Sequence, residues 1–353
     1  MDKVYFFILN VFLNSFLAFL TVAFLIEALI FLFRVRQGRL AALLRMIPLV
    51  KLPVDLCLYD FSRWSYLHGA NPWHCEENTR ALSAMCGWMS DGIFLPITSA
   101  IQLTMPGNMT FTIADLLALS ISPWSLKVFV LLFLLLSAGL LIRKLLLHYR
   151  SATALNLLNK SARPMTRAID NPILSSYIKC SGMQLMTSHS IQGSPFVAGV
   201  TAPTVYIPSS LINNLSRVEY EAVLAHELGH VRFKDNGVRL ILDSIGAIFW
   251  WVPTQWWSNR IEEGLEVGCD RQCKRYGVDP NNLAAALYKS AKHAIHHPCL
   301  IFAHHLTKHA IFKRVNRLLQ PASRRFKTIH FVFSCFAVGI AFLVIFLGRF
   351  WIF

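Results

Sequence analysis

The feature that most constrains the fold of this chain is an almost unbroken apolar run from Tyr5 to Phe33. A helix of about 20 apolar residues crosses the hydrocarbon core of a bilayer, so this run can span with some tilt. Two further apolar segments lie at about 124–147 and 330–350. We therefore predict membrane helices at about 5–33, 124–147 and 329–353. The composition agrees, because 55% of the residues are hydrophobic and only 15% are charged.

Basic residues mark one end of each apolar segment. They occupy 34–45 after the first segment, 143–150 after the second and 324–327 before the third. The positive-inside rule places all three basic clusters in the cytoplasm. The net charge of +15 is then mostly anchoring charge. Because no basic stretch is interleaved with aromatic residues, we expect no direct nucleic-acid binding.

This orientation requires one further membrane crossing between the first two basic clusters. The segment 41–61 carries several charges, and the segment 82–105 is interrupted by a glycine and a proline, so both are weak spans. We predict the crossing within 41–105 and favour the earlier segment, which would span or re-enter. A loop at about 62–123 would then be extracytoplasmic.

Cys75 and Cys86 lie in the predicted outer loop, where a disulfide could form, although two free thiols are equally compatible.

Three regions follow from this layout. They are an N-terminal membrane region at 1–150, a cytoplasmic domain at 151–328 and a C-terminal transmembrane helix at 329–353.

A metal-binding pattern lies in the predicted cytoplasmic domain, at His226-Glu227-Leu228-Gly229-His230. Residues four apart share one face of a helix, so His226 and His230 can bind one metal ion. Glu227 is placed beside them to take a proton from an attacking water. This combination predicts a catalytic zinc site that needs a third protein ligand.

The helix that carries this pattern has clear boundaries in the sequence. Ser216 and Glu219 form the pattern of a capping box, which predicts the helix start. We expect the helix to run from Tyr220 to about Phe233, with Gly237 as its C′ residue.

The third zinc ligand is expected from an acidic cluster on a second predicted helix, Ile261 to Tyr276. Glu266 and Asp270 are four apart on one face, so one could bind zinc while the other accepts the free N–H of a ligating imidazole. We favour Glu266 as the ligand and keep Glu262 and Glu263 as alternatives. Two cysteines of this helix, Cys269 and Cys273, are left out, because a cytoplasmic cysteine is usually a small apolar residue.

The chain at this point resembles the BlaR/MecR-type membrane metallopeptidases of bacteria, from about Ser188 to Tyr276. The matching segments are Ser194–Gly199, Pro203–Pro208, Ala222–His230 and Glu266–Asp270. The resemblance implies zinc ligands at His226, His230 and Glu266, a general base and acid at Glu227, and a supporting carboxylate at Asp270. It also implies a cytoplasmic protease domain between helices of the bacterial inner membrane. The implied substrates are a cytoplasmic transcriptional regulator and the chain itself.

The beta-lactam sensors of that family continue into an extracytoplasmic penicillin-binding domain with a Ser-x-x-Lys nucleophile. This sequence ends at Phe353, directly after its last apolar segment. We therefore expect no such domain and no antibiotic sensing.

Short strands are predicted at Gln184–Thr187, Phe196–Val200 and Thr204–Ile207, separated by glycine and proline. Zinc proteases of this type bind an extended substrate along an edge strand beside the metal helix. Our candidate for this strand, with an interior hairpin strand as the alternative, consists of Phe196, Val197, Ala198 and Gly199. An oxyanion stabiliser could come from His304, His305, His309 or Arg314, and the spacing selects none of them.

The predicted fold is an α-helical integral membrane protein with an α+β zincin-like metalloprotease domain inserted between transmembrane helices. The predicted function is a zinc metalloendopeptidase, anchored in the lipid bilayer, that cleaves a protein substrate in signalling or regulation. Membrane-protein quality control is an alternative role. A non-catalytic scaffold with structural zinc is the alternative class, and Glu227 argues against it, because a structural site needs no such carboxylate. Polar residues around the motif argue against a metal within the bilayer.

Overall fold

The computed structural model shows a mostly helical chain with two small sheets. The structure describes residues 2–35, 38–67, 102–104, 110–112, 123–191, 193–296 and 308–319, together with 336, 339 and 340. Most of the predicted outer loop, with Cys75 and Cys86, lies outside the described residues. So does most of the predicted C-terminal helix at 329–353.

The elements follow one another in this order. The first part contains α1 (Asp2–Leu32), α2 (Arg39–Leu67), β1 (Gln102–Thr104), β2 (Thr110–Thr112) and α3 (Pro123–Ser161). The middle part contains β3 (Arg163–Pro164), α4 (Pro172–Ser181), β4 (Gln184–Ser188), β5 (Phe196–Ala198), β6 (Thr204–Pro208), α5 (Ser209–Asn214) and α6 (Arg217–Phe233). The last part contains α7 (Asp235–Ile248), α8 (Thr254–Gln272), a 3₁₀ helix (Cys273–Tyr276), α9 (Pro280–His296) and α10 (Lys308–Leu319).

Two of the described helices are long and apolar enough to cross a membrane. They are Val11–Leu32 within α1, 22 residues long, and Trp124–Ser161 within α3, 38 residues long. Only 11% of the apolar window of α3 is buried inside the protein, so its leucines face outward. These positions agree with the segments predicted at 5–33 and 124–147. Because α3 continues to Ser161, one helix runs through the predicted domain boundary at residue 150.

Helix α2 covers the segment favoured for the extra crossing. It is not one of the two described helices that are long and apolar enough to cross a membrane. It packs between α1 and α8, and Arg45 and Lys51 of this helix are buried. The guanidinium group of Arg45 binds the Glu27 carboxylate of α1, with an Nε–Oε1 distance of 2.8 Å. Arg260 of α8 binds the same carboxylate at 2.9 Å. The crossing within 41–105 stays a prediction.

The domain predicted at 151–328 contains a four-stranded sheet of order β3-β4-β6-β5. Strands β4 and β6 are parallel, and the other two pairs are antiparallel. The three predicted strands are confirmed, and β5 lies at an edge of the sheet, as the substrate-binding interpretation requires. Directly after β5, Gly199 has a φ of +84°, and a side chain there would collide with the Ala202 carbonyl oxygen. Only glycine fits this turn between β5 and β6.

Helix α6, which carries the metal-binding pattern, lies at the centre of this domain. The core around it combines apolar residues of α4, β6, α5, α6 and α9, among them Leu174, Val205, Leu211, Leu224 and Leu283. Twelve consecutive residues of α6, from Glu219 to His230, are buried. A helix packed on all sides holds its side chains in fixed directions, which suits a metal site.

The ends of α6 were predicted with mixed success. The capping box is confirmed: the Ser216 hydroxyl accepts from the Glu219 N–H, and the Glu219 carboxylate accepts from the Ser216 N–H at 2.7 Å. The prediction of Gly237 as the C′ residue is wrong. Lys234 takes the left-handed conformation instead, with a φ of +56°, and Gly237 lies within α7. Likewise, α8 begins at Thr254, earlier than predicted, and ends at Gln272 before the 3₁₀ helix.

The capping box gives the first testable prediction. Replacing Ser216 with Ala removes the acceptor for an N–H at the helix start, and we expect it to lower the free energy of unfolding by about 1 kcal/mol. Denaturant unfolding of the detergent-purified chain measures this change. Ser244→Ala is the control, because its hydroxyl only bonds the Leu240 carbonyl within its own helix. Equal stability of the Ser216 variant and wild type would contradict the prediction.

Helix α7 and the turn after it join the domain predicted at 151–328 to the two apolar helices. The Trp250 indole N–H donates to the Ser137 hydroxyl of α3 at 2.7 Å, and the Trp251 indole N–H donates to the Ser15 hydroxyl of α1 at 2.8 Å. Asp243 of α7 binds Lys144 of α3 at 2.7 Å. The predicted domain is therefore in direct contact with both helices.

Candidate metal centre

Helices α6 and α8 bring together the three predicted metal ligands. The Nε2 atoms of His226 and His230 are 3.2 Å apart. The Glu266 carboxylate approaches them at 3.3 Å and 3.4 Å. The helices can come this close because Gly229 faces Cys269, where a side chain would lie only 3.0 Å from the sulfur. Of the three glutamates weighed as a ligand, the structure places Glu266 at the histidines.

Glu263, one of the two alternatives, points elsewhere. Its carboxylate binds Lys313 and Arg317 of α10 at the surface. Glu262 is in neither of the groups close enough to hold a metal ion among the described residues. The structure therefore favours the ligand set of His226, His230 and Glu266, whose ligand atoms lie within 4.8 Å of one another.

The chemistry of these atoms fits a bound cation. The Nδ1 atom of His230 bonds the Asp235 carboxylate at 2.8 Å, and Nδ1 of His226 lies 3.1 Å from the Asp270 carboxylate. If these Nδ1 atoms carry protons, both Nε2 atoms present lone pairs. The lone pairs then converge with a carboxylate in a buried space, and such an arrangement of nitrogen and oxygen ligands suits zinc. The His226 Nδ1 atom is buried and is close to Asp270 without an aligned hydrogen bond.

Asp235 was not predicted as part of the site. The left-handed turn at Lys234 ends α6 and starts α7 at once, which places the Asp235 side chain on the His230 ring. In the sequence, Asp235 is only a polar residue after a helix. The only available signal was its position five residues after His230, which indicates contact only if the turn conformation is known.

Two arginines surround Glu266. The Arg314 guanidinium group of α10 binds Glu266 at 2.9 Å and binds Asp270 through two nitrogen atoms at 3.0 Å and 2.7 Å. Arg239 of α7 approaches the other Glu266 oxygen at 3.1 Å. Of the four residues considered as oxyanion stabilisers, the structure places Arg314 at the site. The others are outside the described residues (His304 and His305) or have an undescribed side chain (His309).

The surrounding charges set the protonation of the site. Burial would raise the pKa of Glu266, but Arg314 and the two histidines outweigh it and hold the pKa well below its usual range. Burial would also raise the pKa of Asp270, but Arg314 and His226 lower this pKa to about 2. Both carboxylates are therefore ionised at neutral pH. Burial would lower the pKa of His226, but Asp270, Cys273 and Glu266 raise it well above its usual range, so binding of a cation at Nε2 would displace a proton from this ring.

Cys269 forms a second close group with His230 and Asp235. Its sulfur lies 3.4 Å from the His230 Nδ1 atom and 3.5 Å from an Asp235 oxygen. Burial and the neighbouring Asp235 and Glu266 carboxylates raise the pKa of the Cys269 thiol well above its usual range. Since the thiolate is the form that binds metals, this supports leaving Cys269 out of the ligand set.

The candidate substrate strand is tied to the same corner of the domain. The Asn236 side-chain amide donates to the carbonyl oxygens of Val197 and Gly199, both at 3.1 Å. Asn236 follows Asp235 directly, so one turn connects β5 to the residue that holds His230.

Glu227 is buried on α6 between the two histidines in sequence.

Two histidines of one helix, with a carboxylate from a second helix, are the ligand pattern of a metallopeptidase. The chain matches the family model described as BlaR1 peptidase M56 over residues 104–318, which is more than half of its length. It therefore belongs to this family, and the resemblance seen in the sequence is confirmed.

Two relatives match shorter segments. One is the "Regulatory protein BlaR1" of Bacillus licheniformis, 32% identical over 78 residues, covering 22% of this chain and 13% of that protein. The other is the "Plastoglobule-localized metallopeptidase 48, chloroplastic" of Arabidopsis thaliana, 35% identical over 99 residues, covering 25% of this chain and 28% of that protein. The similarity thus spans less than a third of either relative.

Proposed function

We propose that this chain is a membrane-anchored zinc metalloendopeptidase that cleaves a protein substrate. The observation that carries the proposal is the convergence of His226, His230 and Glu266, each supported by a charged neighbour. These three residues would hold zinc, which when bound supplies a Lewis acid for the scissile carbonyl and for an attacking water. Membership of a metallopeptidase family supports the same activity.

Residues of the chain would transfer the proton, orient the ligands and stabilise developing charge. Glu227 accepts the proton of the attacking water and passes it to the nitrogen of the leaving amine. Asp270 and Asp235 fix the orientation of the two imidazoles. Arg314 holds Glu266 and Asp270 together, and its nitrogen Nη2 lies 3.3 Å from the His226 Nε2 atom. A guanidinium group at this position can also stabilise negative charge that develops on the carbonyl oxygen.

The substrate would bind as an extended strand. In this arrangement, the backbone of a peptide pairs with β5, at Phe196, Val197, Ala198 and Gly199, next to the metal helix. The edge position of β5 supports this role, because an interior strand has no unpaired side to offer. The substrate itself would be a cytoplasmic transcriptional regulator or the chain itself, with regulation or signalling as the purpose.

We place the protein in the bacterial inner membrane, with several crossings and the catalytic domain in the cytoplasm. The exposed apolar surface of α3 supports contact with lipid, since water would meet a long row of leucines there. The contacts of Trp250 and Trp251 with α3 and α1 support a position of the catalytic domain beside the membrane. This position also suits turnover of membrane proteins as a second role, because their exposed segments would lie close to the site.

Metal removal tests the proposed chemistry. We expect the detergent-purified full chain to contain about one zinc ion and to cleave an unfolded protein such as casein. Chelation should abolish cleavage and lower the melting temperature, because a metal that binds only the folded state stabilises it. Stoichiometric zinc should restore both, and magnesium should not. Full cleavage by a zinc-free chain would exclude this metal centre as the catalyst.

Topology is tested with reporter fusions. A reporter after Arg150 or within the catalytic domain is expected to report a cytoplasmic position, because the basic residues of this region stay inside. A reporter near Asn78, in the predicted outer loop, is expected to report an external position. A reporter fused ahead of the first apolar segment serves as the control for expression. Opposite signals would overturn the orientation and the cytoplasmic substrate together.

A further inference from the structure

We propose that Arg39, on helix α2 outside the catalytic domain, is a positioning residue of the metal centre that acts through Asp235 on His230. The inference rests on the proposed zinc site and adds a component from the N-terminal helices. Arg39 lies 196 positions before Asp235 in the sequence, so a residue outside the catalytic domain would complete the ligand geometry of that domain.

A chain of three side chains connects α2 to the metal ligand. The Arg39 guanidinium group binds both oxygens of the Asp235 carboxylate, one of them at 3.3 Å. The Asp235 carboxylate in turn bonds the His230 Nδ1 atom at 2.8 Å. The Asp235 side chain is fully buried, so Arg39 and not water is its cationic partner in the folded chain. Without Arg39, the carboxylate would keep its charge in a buried position with the His230 imidazole and the Cys269 thiol, but no cation, in contact with it.

Arg39 is itself held in a fixed place. Its guanidinium group stacks 3.6 Å above the centre of the Phe233 ring and donates to the Phe233 carbonyl oxygen at 3.3 Å. Phe233 is the last residue of α6, three positions after His230. The arginine therefore contacts both the end of the metal helix and the turn that follows it, and it sets the position of each relative to α2.

The backbone of α2 is fixed against the helix that supplies the third ligand. On α8, a side chain at Gly264 would lie 2.8 Å from Ala42, and one at Gly268 would lie 3.2 Å from Arg39. The Trp257 indole N–H also donates to the Arg45 carbonyl oxygen. Glycines spaced four apart thus let α2 approach α8 closely, directly beside Glu266. Helix α2 is in contact with both halves of the metal site, and Arg39 connects it to the ligand His230 through Asp235.

The contact has a consequence for how the site can be controlled. Helix α2 leads toward the segment predicted to lie outside the membrane, and it starts directly after the α1–α2 turn. A movement of α2 would change the contact of Arg39 with Asp235 and, through Asp235, the support of the His230 ring. The catalytic domain at 151–328 lacks this arginine, so the domain alone would have a weakened metal site.

The test measures zinc affinity of the full chain in detergent by competition with a chelator, together with the visible spectrum of the cobalt-substituted protein. Arg39→Gln is expected to weaken zinc binding by about 10-fold or more, the usual effect of losing a residue that orients a ligand. Its cobalt spectrum should shift, because Asp235, which orients the His230 ring, loses its own anchor. Arg39→Lys keeps the charge but not the forked pair of donors. Its zinc affinity should therefore lie between those of wild type and Arg39→Gln.

A double-mutant cycle distinguishes positioning from a general loss of stability. Asp235→Asn should weaken zinc binding to a similar extent, and Arg39→Gln should add little in that background. Multiplied losses would mean independent effects and would overturn the proposal. Arg45→Gln is the matched control: it breaks a buried ion pair of the same helix, with Glu27, and should leave zinc affinity and the cobalt spectrum unchanged.

The outcomes also separate this inference from the proposed function. If the wild-type chain binds no zinc, the proposed metal centre fails before Arg39 is tested. If wild type binds zinc and Arg39→Gln binds it equally well with an unchanged cobalt spectrum, only the inference on Arg39 fails. Should Arg39→Gln not fold, Arg39→Lys decides: reduced affinity with a shifted spectrum supports the role, and wild-type affinity overturns it.

Discussion

Replacing Glu227 with Gln is expected to lower the rate of peptide cleavage by about 10²–10⁴-fold while the chain keeps its zinc and its fold. The amide has nearly the same shape as the carboxylate, but it cannot accept the proton of the attacking water. Because Glu227 is not proposed as a ligand, metal analysis of the variant should match wild type. The measurement combines zinc content with the cleavage rate of an unfolded protein substrate.

Glu263→Gln is the matched control for this experiment. It makes the same chemical change on α8, where the carboxylate binds Lys313 and Arg317 instead of facing the histidines. Cleavage by the control should stay near the wild-type rate. If Glu227→Gln cleaves as fast as wild type, hydrolysis does not take place at this metal, and the scaffold interpretation takes over. In cells, comparing protein N-termini between wild type and the variant would identify the substrates.

The metal helix and its ligands could be predicted because their signals are local. The capping box spans four residues, and the two histidines are related by one helical turn, so both follow from backbone geometry. Glu266 could be placed on the same face as Asp270 within one helix. The choice of Glu266 over Glu262 and Glu263 could not be made from spacing alone, because it depends on the angle at which α8 crosses α6.

The rest of the site depends on contacts that are distant in sequence or on an unusual backbone conformation. Arg314 binds Asp270 across 44 positions, and Arg39 binds Asp235 across 196. The misplaced helix end has the same origin. Glycine is preferred in the left-handed conformation, so Gly237 was the natural expectation. Instead Lys234 adopts it, and the turn there brings Asp235 to His230 and Arg39.

Replacing Glu266 with Ala is expected to remove most of the bound zinc. Loss of one of three ligands should exceed the roughly 10–100-fold effect of losing a supporting residue, which we expect for Asp270→Ala. The metal content of each purified variant, and its affinity by chelator competition, measure this order. Removing a carboxylate that faces two arginines also leaves their charges less compensated, so the variant should unfold more easily.

Glu263→Ala and Glu262→Ala provide the comparison that makes the Glu266 assignment decisive. Each removes one carboxylate from the same acidic cluster, and both variants should retain wild-type zinc. If Glu266→Ala keeps its zinc while one of these two loses it, the ligand role passes to that residue, and α8 would have to turn to bring it to the histidines. If all three keep zinc, the two histidines have another partner, and Cys269, 3.4 Å from His230, is the next group to replace.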